Sequence, residues 1–180
     1  MTFRRSTMSR VRAAALLAVA AVALSACGPA AEPTPTPTAA FASEEEAFAA
    51  AEETYRAYIA ASNAVDYSDP ESFASLETFT TGAYQSEERE GLSQMHAEGN
   101  SNVGDLKITW FRGVDVGADS TVTARTCNDV SETDLLDSNG DSIVPDSRPT
   151  HYAIDLTFAV VGDELRIASS EVVEDAECFS

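Results

Sequence analysis

Histidine is nearly missing from this sequence: there are two in 180 residues, His96 and His151. Neither has a second histidine, a cysteine or a carboxylate at ligand spacing, so no donor set for zinc is in view and no metal is expected. Cations are also scarce. Four of the 11 basic residues are Arg4, Arg5, Arg10 and Arg12, so beyond residue 27 seven cations face all 30 acids, a net charge of −23. A chain so acidic repels phosphate backbones and anionic headgroups, which excludes nucleic acid as a partner. The acidity keeps a protein soluble, or it receives a cationic partner. Long apolar runs are missing too. Ala13 to Leu24, AAALLAVAAVAL, is twelve residues, whereas a membrane-spanning helix needs about 20. Cysteine appears three times, at positions 27, 127 and 178.

What is present at the N-terminus is a basic flank followed by that short apolar core, the pattern of an export signal. Arg4-Arg5 is followed by Ser6-Thr7-Met8 rather than by apolar residues, so standard secretion fits better than a twin-arginine route. The apolar core ends in Leu24-Ser25-Ala26-Cys27. This resembles the bacterial lipobox, an apolar residue and two small ones before a cysteine that receives diacylglycerol. The resemblance implies that residues 1–26 are a signal peptide and that Cys27 is lipid-modified. It places the mature chain on the extracytoplasmic face of the cell membrane. An ordinary signal peptide with a chance cysteine is the alternative.

Lipidation of Cys27 would also resolve the odd cysteine count, leaving Cys127 and Cys178 to pair in an oxidising compartment. Closing that loop of roughly 50 residues would add about 4 kcal/mol on the chain-entropy argument. Two unpaired buried thiols remain the alternative. Residues 27–42 form a linker, with GPAAEPTPTPTAA over 28–40. Proline fixes φ and lacks an N–H, so this stretch is expected to run as polyproline II, a stalk of roughly 40 Å.

Residues 43–180 make one domain in which helical patterns precede strand patterns. Ser43 with Glu46 forms a capping box. Phe48, Ala51, Tyr55, Tyr58, Ile59 and Ser62 then follow at spacings of three and four, one face of an amphipathic helix. Asp69-Pro70-Glu71 opens a second, short helix carrying Phe73 and Leu76. A third runs from about Gly82 to Glu98, with Tyr84, Glu88, Leu92 and Met95 on one stripe, and Gly99-Asn100 ends it. Strands are expected over residues 106–111, 120–130, 152–160 and 165–173. A small hairpin turns at Asn139-Gly140, a type I′ signal. This order predicts an α+β fold with helices on one face of an antiparallel sheet.

The domain resembles the NTF2-like (cystatin-like α+β) fold, in which N-terminal helices pack on a strongly curved antiparallel sheet that makes a cone. It is similar to small lipoproteins of high-GC Gram-positive bacteria. The resemblance is carried by the lipobox, the capped helix with Tyr55 and Tyr58, Thr80-Thr81-Gly82, Cys127-Asn128-Asp129-Val130-Ser131, Asp137-Ser138-Asn139-Gly140 and the tail ending in Cys178. It covers residues 43–180 and implies a fold rather than an activity, because this fold hosts isomerases, dehydratases and binding modules alike.

Motifs with chemistry are fragmentary. Asp137-x-Asn139-x-Asp141 begins like a calcium loop, but Ser142 and Arg148 stand where glycine and a bidentate glutamate are required. Gly91-x-Ser93 lacks the second glycine of a nucleophile elbow and lies in a helical pattern. Enzymes of the resembled fold use a tyrosine or protonated aspartate as donor and an aspartate or histidine as base. That leaves Tyr55, Tyr58 and Tyr84 as possible pocket residues, and Asp129 and Asp155 as strand carboxylates; Asp155 has the parity opposite to Tyr152, Ile154 and Leu156. Tyrosines on apolar stripes also serve as core. No catalytic residue and no cofactor is assigned. The leading expectation is a non-catalytic module that binds a protein or a small apolar ligand. An isomerase- or hydratase-type enzyme using the cone is the alternative, and an acidic surface antigen is a third reading.

Overall fold

The computed structural model of the chain describes residues 40–178. The expected signal segment, the expected lipobox of Leu24, Ser25, Ala26 and Cys27, and the expected linker up to residue 39 lie outside the described residues. Helix α1 spans Glu44–Asn63. The Ser43 hydroxyl accepts from the Glu46 N–H at 3.2 Å, and the Glu46 carboxylate reaches back to the Ala42 N–H at 2.8 Å. That return bond falls one residue before the position a capping box uses. Phe41 packs against the core and the Ala40 N–H bonds to Ser120, so the fold begins a few residues ahead of Ser43.

The buried face of α1 is Ala47, Ala51, Tyr55 and Ile59. Its centre is thus one position earlier than the stripe expected from Phe48. Phe48 is half-buried at the edge, lying directly on Gly113; a Cβ added there would overlap the ring. The second helix is a 3₁₀ segment, Pro70–Thr78, capped by Asp69, whose side chain accepts from the Glu71 N–H at 3.0 Å. Phe73 and Leu76 eclipse each other on this tighter winding and bury against Val65. Helix α2 spans Gly82–Glu98 and stops at Gly99, whose φ of 72° is left-handed. It lies on the outside of the fold, with Tyr84, Glu88, Leu92 and Met95 half-buried along one side.

The strands are β1 Ser101–Val103, β2 Lys107–Val116, β3 Val122–Asp129, β4 Asp134–Leu136, β5 His151–Val161 and β6 Glu164–Val173. The main sheet is antiparallel with order β2-β3-β5-β6, and β1 pairs with β4 in a separate two-stranded ribbon. Register breaks interrupt β2 near Thr109 and Val114 and β6 near Ala168, each leaving one residue unpaired. Such bulges bend and twist a sheet. The chain is therefore an α+β fold with N-terminal helices packed on a curved antiparallel sheet. The edge of β6 is covered at its centre by Phe79–Thr81, through Ile167 N–H to Phe79 O at 2.8 Å and Thr81 N–H to Ile167 O at 2.9 Å.

One expectation changes, and one strand was not expected. Asn139 does not have positive φ; only Gly140 does, at 86°. The Gly140 N–H bonds to Asp137 O at 3.0 Å and the Asp137 N–H to Asp141 O at 2.9 Å. This is a type I turn followed by a left-handed glycine, rather than the type I′ turn. Second, β1 was not visible as a strand pattern, since three residues carry no period.

The helices cover one face of the main sheet, contributed by Ile108, Phe111, Val122, Ala124, Leu156, Phe158 and Ile167. The opposite face receives the C-terminal tail, held by a Cys127–Cys178 disulfide that buries against Ala153 beside Trp110 and Val173. Reduction should lower the stability to urea by about 4 kcal/mol, given the separation of 51 residues, as an unfolding titration with and without reductant would measure. Gly113→Ala should cost about 1–3 kcal/mol by overpacking against Phe48. The same titration should show part of that loss restored by Phe48→Leu in the double variant.

Candidate functional site

Beneath α1 the sheet carries two buried polar side chains, Thr126 and Asn128, both on β3. Burying them requires partners. Asn128 donates through Nδ2 to the Tyr55 hydroxyl at 2.5 Å; the single Thr126 hydroxyl proton points to Trp110 O at 3.0 Å and is shared with Asn128 Oδ1 at 3.3 Å. Tyr55 is 2% exposed, and its ring stacks with Tyr58 at 6.1 Å between centroids and meets Phe111 at 6.0 Å. Tyr58 donates to Glu88 Oε1 at 2.7 Å, while its oxygen lies 3.2 Å from the Tyr84 oxygen. With the one Tyr58 proton committed to Glu88, Tyr84 is the donor of that pair. Thr80 completes the set by donating to Glu88 Oε2 at 3.1 Å.

The structure thus brings Tyr55, Tyr58 and Tyr84 together, as the stripes implied. They act as packing and as a polar staple joining α1, α2 and β3. Burial raises the pKa of all three hydroxyls; beside Tyr58, Tyr84 and the Glu88 carboxylate push the same way, whereas Asn128 partly opposes the shift at Tyr55. They stay protonated across the physiological range, Tyr58 and Tyr84 as donors and Tyr55 as the acceptor of the Asn128 bond.

The strand carboxylates are elsewhere. Asp129 pairs across the sheet with His151 and Asp155 with Arg125, on the face turned away from the helices. Arg125 clamps Asp155 through Nε at 2.6 Å and Nη2 at 2.9 Å, and reaches Asp175 in the tail at 3.2 Å. Asp129 is held below the usual carboxylate range mainly by its hydrogen bond from Ser131. Asp137 spends its carboxylate on the N–H groups of Asn139 and Asp141 at 2.8 and 3.0 Å, which accounts for the calcium-like spacing as turn chemistry. Among the described residues no group of three or more potential ligands could hold a metal, and no helix is long and apolar enough to cross a membrane.

An open cavity of about 860 Å³ lies on the other side of α1. Ala50, Thr54 and Ala57 recur at spacings of four and three and present a low, small-residue wall. Phe41, Phe79, Val160 and Leu165 supply apolar surface; Glu53, Asp163 and Glu164 supply charge. Gly162, at φ 66°, makes the tight turn between β5 and β6 that brings Asp163 to the rim. None of the three tyrosines lines it. Sequence reasoning did not find this groove, because its walls come from four separated segments whose residues form no motif.

No protein-family model matches the chain, and no curated protein matches it. Among solved structures, the intermembrane space region of the chloroplast protein ARC6 is similar with TM-score 0.50 and 14% identity, over 71% of this chain and 97% of that one. A de novo designed β-sheet protein gives TM-score 0.39 and 16% identity over 73% and 92% of the two chains. Aln2 from a Streptomyces species gives 0.43 and 14% over 69% and 88%. At these identities the first likeness concerns fold alone, and it agrees with the α+β architecture.

The raised tyrosine pKa values have a defined sign. A hydroxyl whose folded pKa lies above its unfolded value of about 10 contributes stability that is complete below pH about 10 and is lost as pH rises beyond it. In a spectrophotometric titration, Tyr55 and Tyr58 should ionise only as the fold opens. Tyr58→Phe should shift the alkaline unfolding upward in pH while lowering stability at neutral pH by about 1 kcal/mol through the lost Glu88 bond.

Proposed function

We propose that this chain is an extracytoplasmic lipoprotein, anchored by diacylglycerol on Cys27, whose NTF2-like domain is a non-catalytic binding module. The observation that carries the binding part is the groove beside α1, whose volume falls in the range of small-ligand sites, roughly 300–1,000 Å³. Its lining mixes an apolar floor with a few polar groups and contains neither a histidine nor a cysteine. The lipobox residues and the basic, apolar leader support the anchor, and the Cys127–Cys178 disulfide is compatible with an oxidising compartment. The isomerase reading needs a carboxylate of raised pKa facing a tyrosine hydroxyl. Asp129 and Asp155 lie on the far face of the sheet, so that reading has lost both of the bases expected for it.

Two measurements test the proposal separately. Mass spectrometry of the mature protein from membranes is expected to find diacylglycerol on an N-terminal Cys27, and Cys27→Ser should release the protein from the membrane fraction. Cleavage elsewhere, or an unmodified Cys27, would refute the anchor. For the module, octanol serves as an apolar probe. It should shift the amide resonances of Phe79 and Leu165, and Ala57→Trp, which fills the groove from the exposed side of α1, should abolish the shift without lowering the melting temperature.

A further inference from the structure

Beyond residue 27 there are seven basic side chains, and each is already engaged. Arg56 pairs with Glu52, Arg89 with Glu77, Lys107 with Glu132, Arg112 with Glu177, Arg125 with Asp155 and Asp175, and Arg166 with Glu164. Arg148 turns inward and donates to the carbonyls of Val130 at 2.9 Å and Thr133 at 2.6 Å. These pairs use up the cations, so that exposed carboxylates such as Glu53 and Asp163 are left without a cationic partner among the described residues.

The groove sets this asymmetry beside an apolar concavity. No lysine or arginine lines it, and Glu53 and Asp163 on its rim, both exposed, have no ion-pair partner among the described residues. Glu164 has only the exposed Arg166 contact. An anionic amphiphile would place its head among like charges, whereas a neutral one would leave the rim unused. Low-dielectric walls beside one sign of charge concentrate the field at the mouth of a cleft.

We propose that the groove binds a small amphiphilic cation, its apolar body against Phe41, Phe79 and Leu165 and its ammonium group between Glu53 and Asp163. This rests on the groove being the recognition surface of the module and adds the charge of the ligand. The acidic exterior then does more than keep the chain soluble: it draws the cationic head towards the rim.

The test uses the full chain carrying Cys27→Ser, so that the protein brings no lipid of its own, with octylamine, octanol and octanoate as matched probes followed at the Phe79 and Leu165 amides. Octylamine should bind at least about fivefold more tightly than octanol at low salt, and octanoate more weakly than either, since exposed carboxylates contribute modestly and are screened. Glu53→Gln with Asp163→Asn should erase the preference for the amine, so that octylamine and octanol bind alike. Equal binding of amine and alcohol, or an unaltered preference in the double variant, overturns the cation assignment while the module reading stands. Binding by none of the three removes both. Concentration-dependent shifts without any probe would identify a second copy of the chain as the occupant. Ala57→Trp shifting resonances ahead of Ala40 would identify the preceding segment, and either result also overturns the assignment.

Discussion

Strand β3 is covered on both of its faces, and the rest of the structure follows from how each face is satisfied. Towards the helices it offers Val122 and Ala124 and then Thr126 and Asn128, all buried. Towards the tail it offers Arg125 and Cys127. An unpaired amide in such a position would cost about 1–3 kcal/mol, so Asn128 dictates where Tyr55 must sit. Tyr55 in turn fixes the rotation of α1 about its axis. The polar pair on β3 thereby orients a helix whose other buried residues, Ala47, Ala51 and Ile59, would tolerate a range of rotations.

The reverse face is organised by charge and covalent chemistry. Arg125 reaches a neighbouring strand through Asp155 and the tail through Asp175, while Cys127, two residues on, holds the tail through Cys178. Arg112 lies over the Trp110 ring at 4.4 Å and contacts Glu177 at 2.6 Å, closing the same tail from the strand on the other side. The sheet is thus lined on one face by helices and on the other by a short segment too small to bury it alone, and the disulfide compensates for that small area.

How much of this was readable in advance depended on whether the information was local. Ser43, Asp69-Pro70 and Gly99 mark helix ends because capping is settled within a few residues. The alternation of Tyr152, Ile154, Leu156 and Phe158 gave β5 its face, and with it the outward position of Asp155. The disulfide followed from a parity argument on three cysteines. What stayed hidden was set at long range. Ser101–Val103 is a strand only because Asp134–Leu136 lies beside it. The Asn139 turn is the exception, a local feature misjudged because the Asp137 carboxylate bonds two N–H groups within the same turn. The groove was invisible because small residues on α1 mean nothing until Phe79 and the β5–β6 turn are placed opposite them.

The commitment of every cation has a consequence for how copies of this domain meet one another. Two of them bring together surfaces of predominantly negative sign, and the exposed basic side chains of each, such as Arg56 and Lys107, are already paired with carboxylates of their own. At an ionic strength of 0.1 M that repulsion reaches about 10 Å, and it contracts as salt is added. Copies crowded onto a shared surface would keep their distance, so the spacing between neighbours, which light scattering against salt can follow, is written into the ion pairs inside each one.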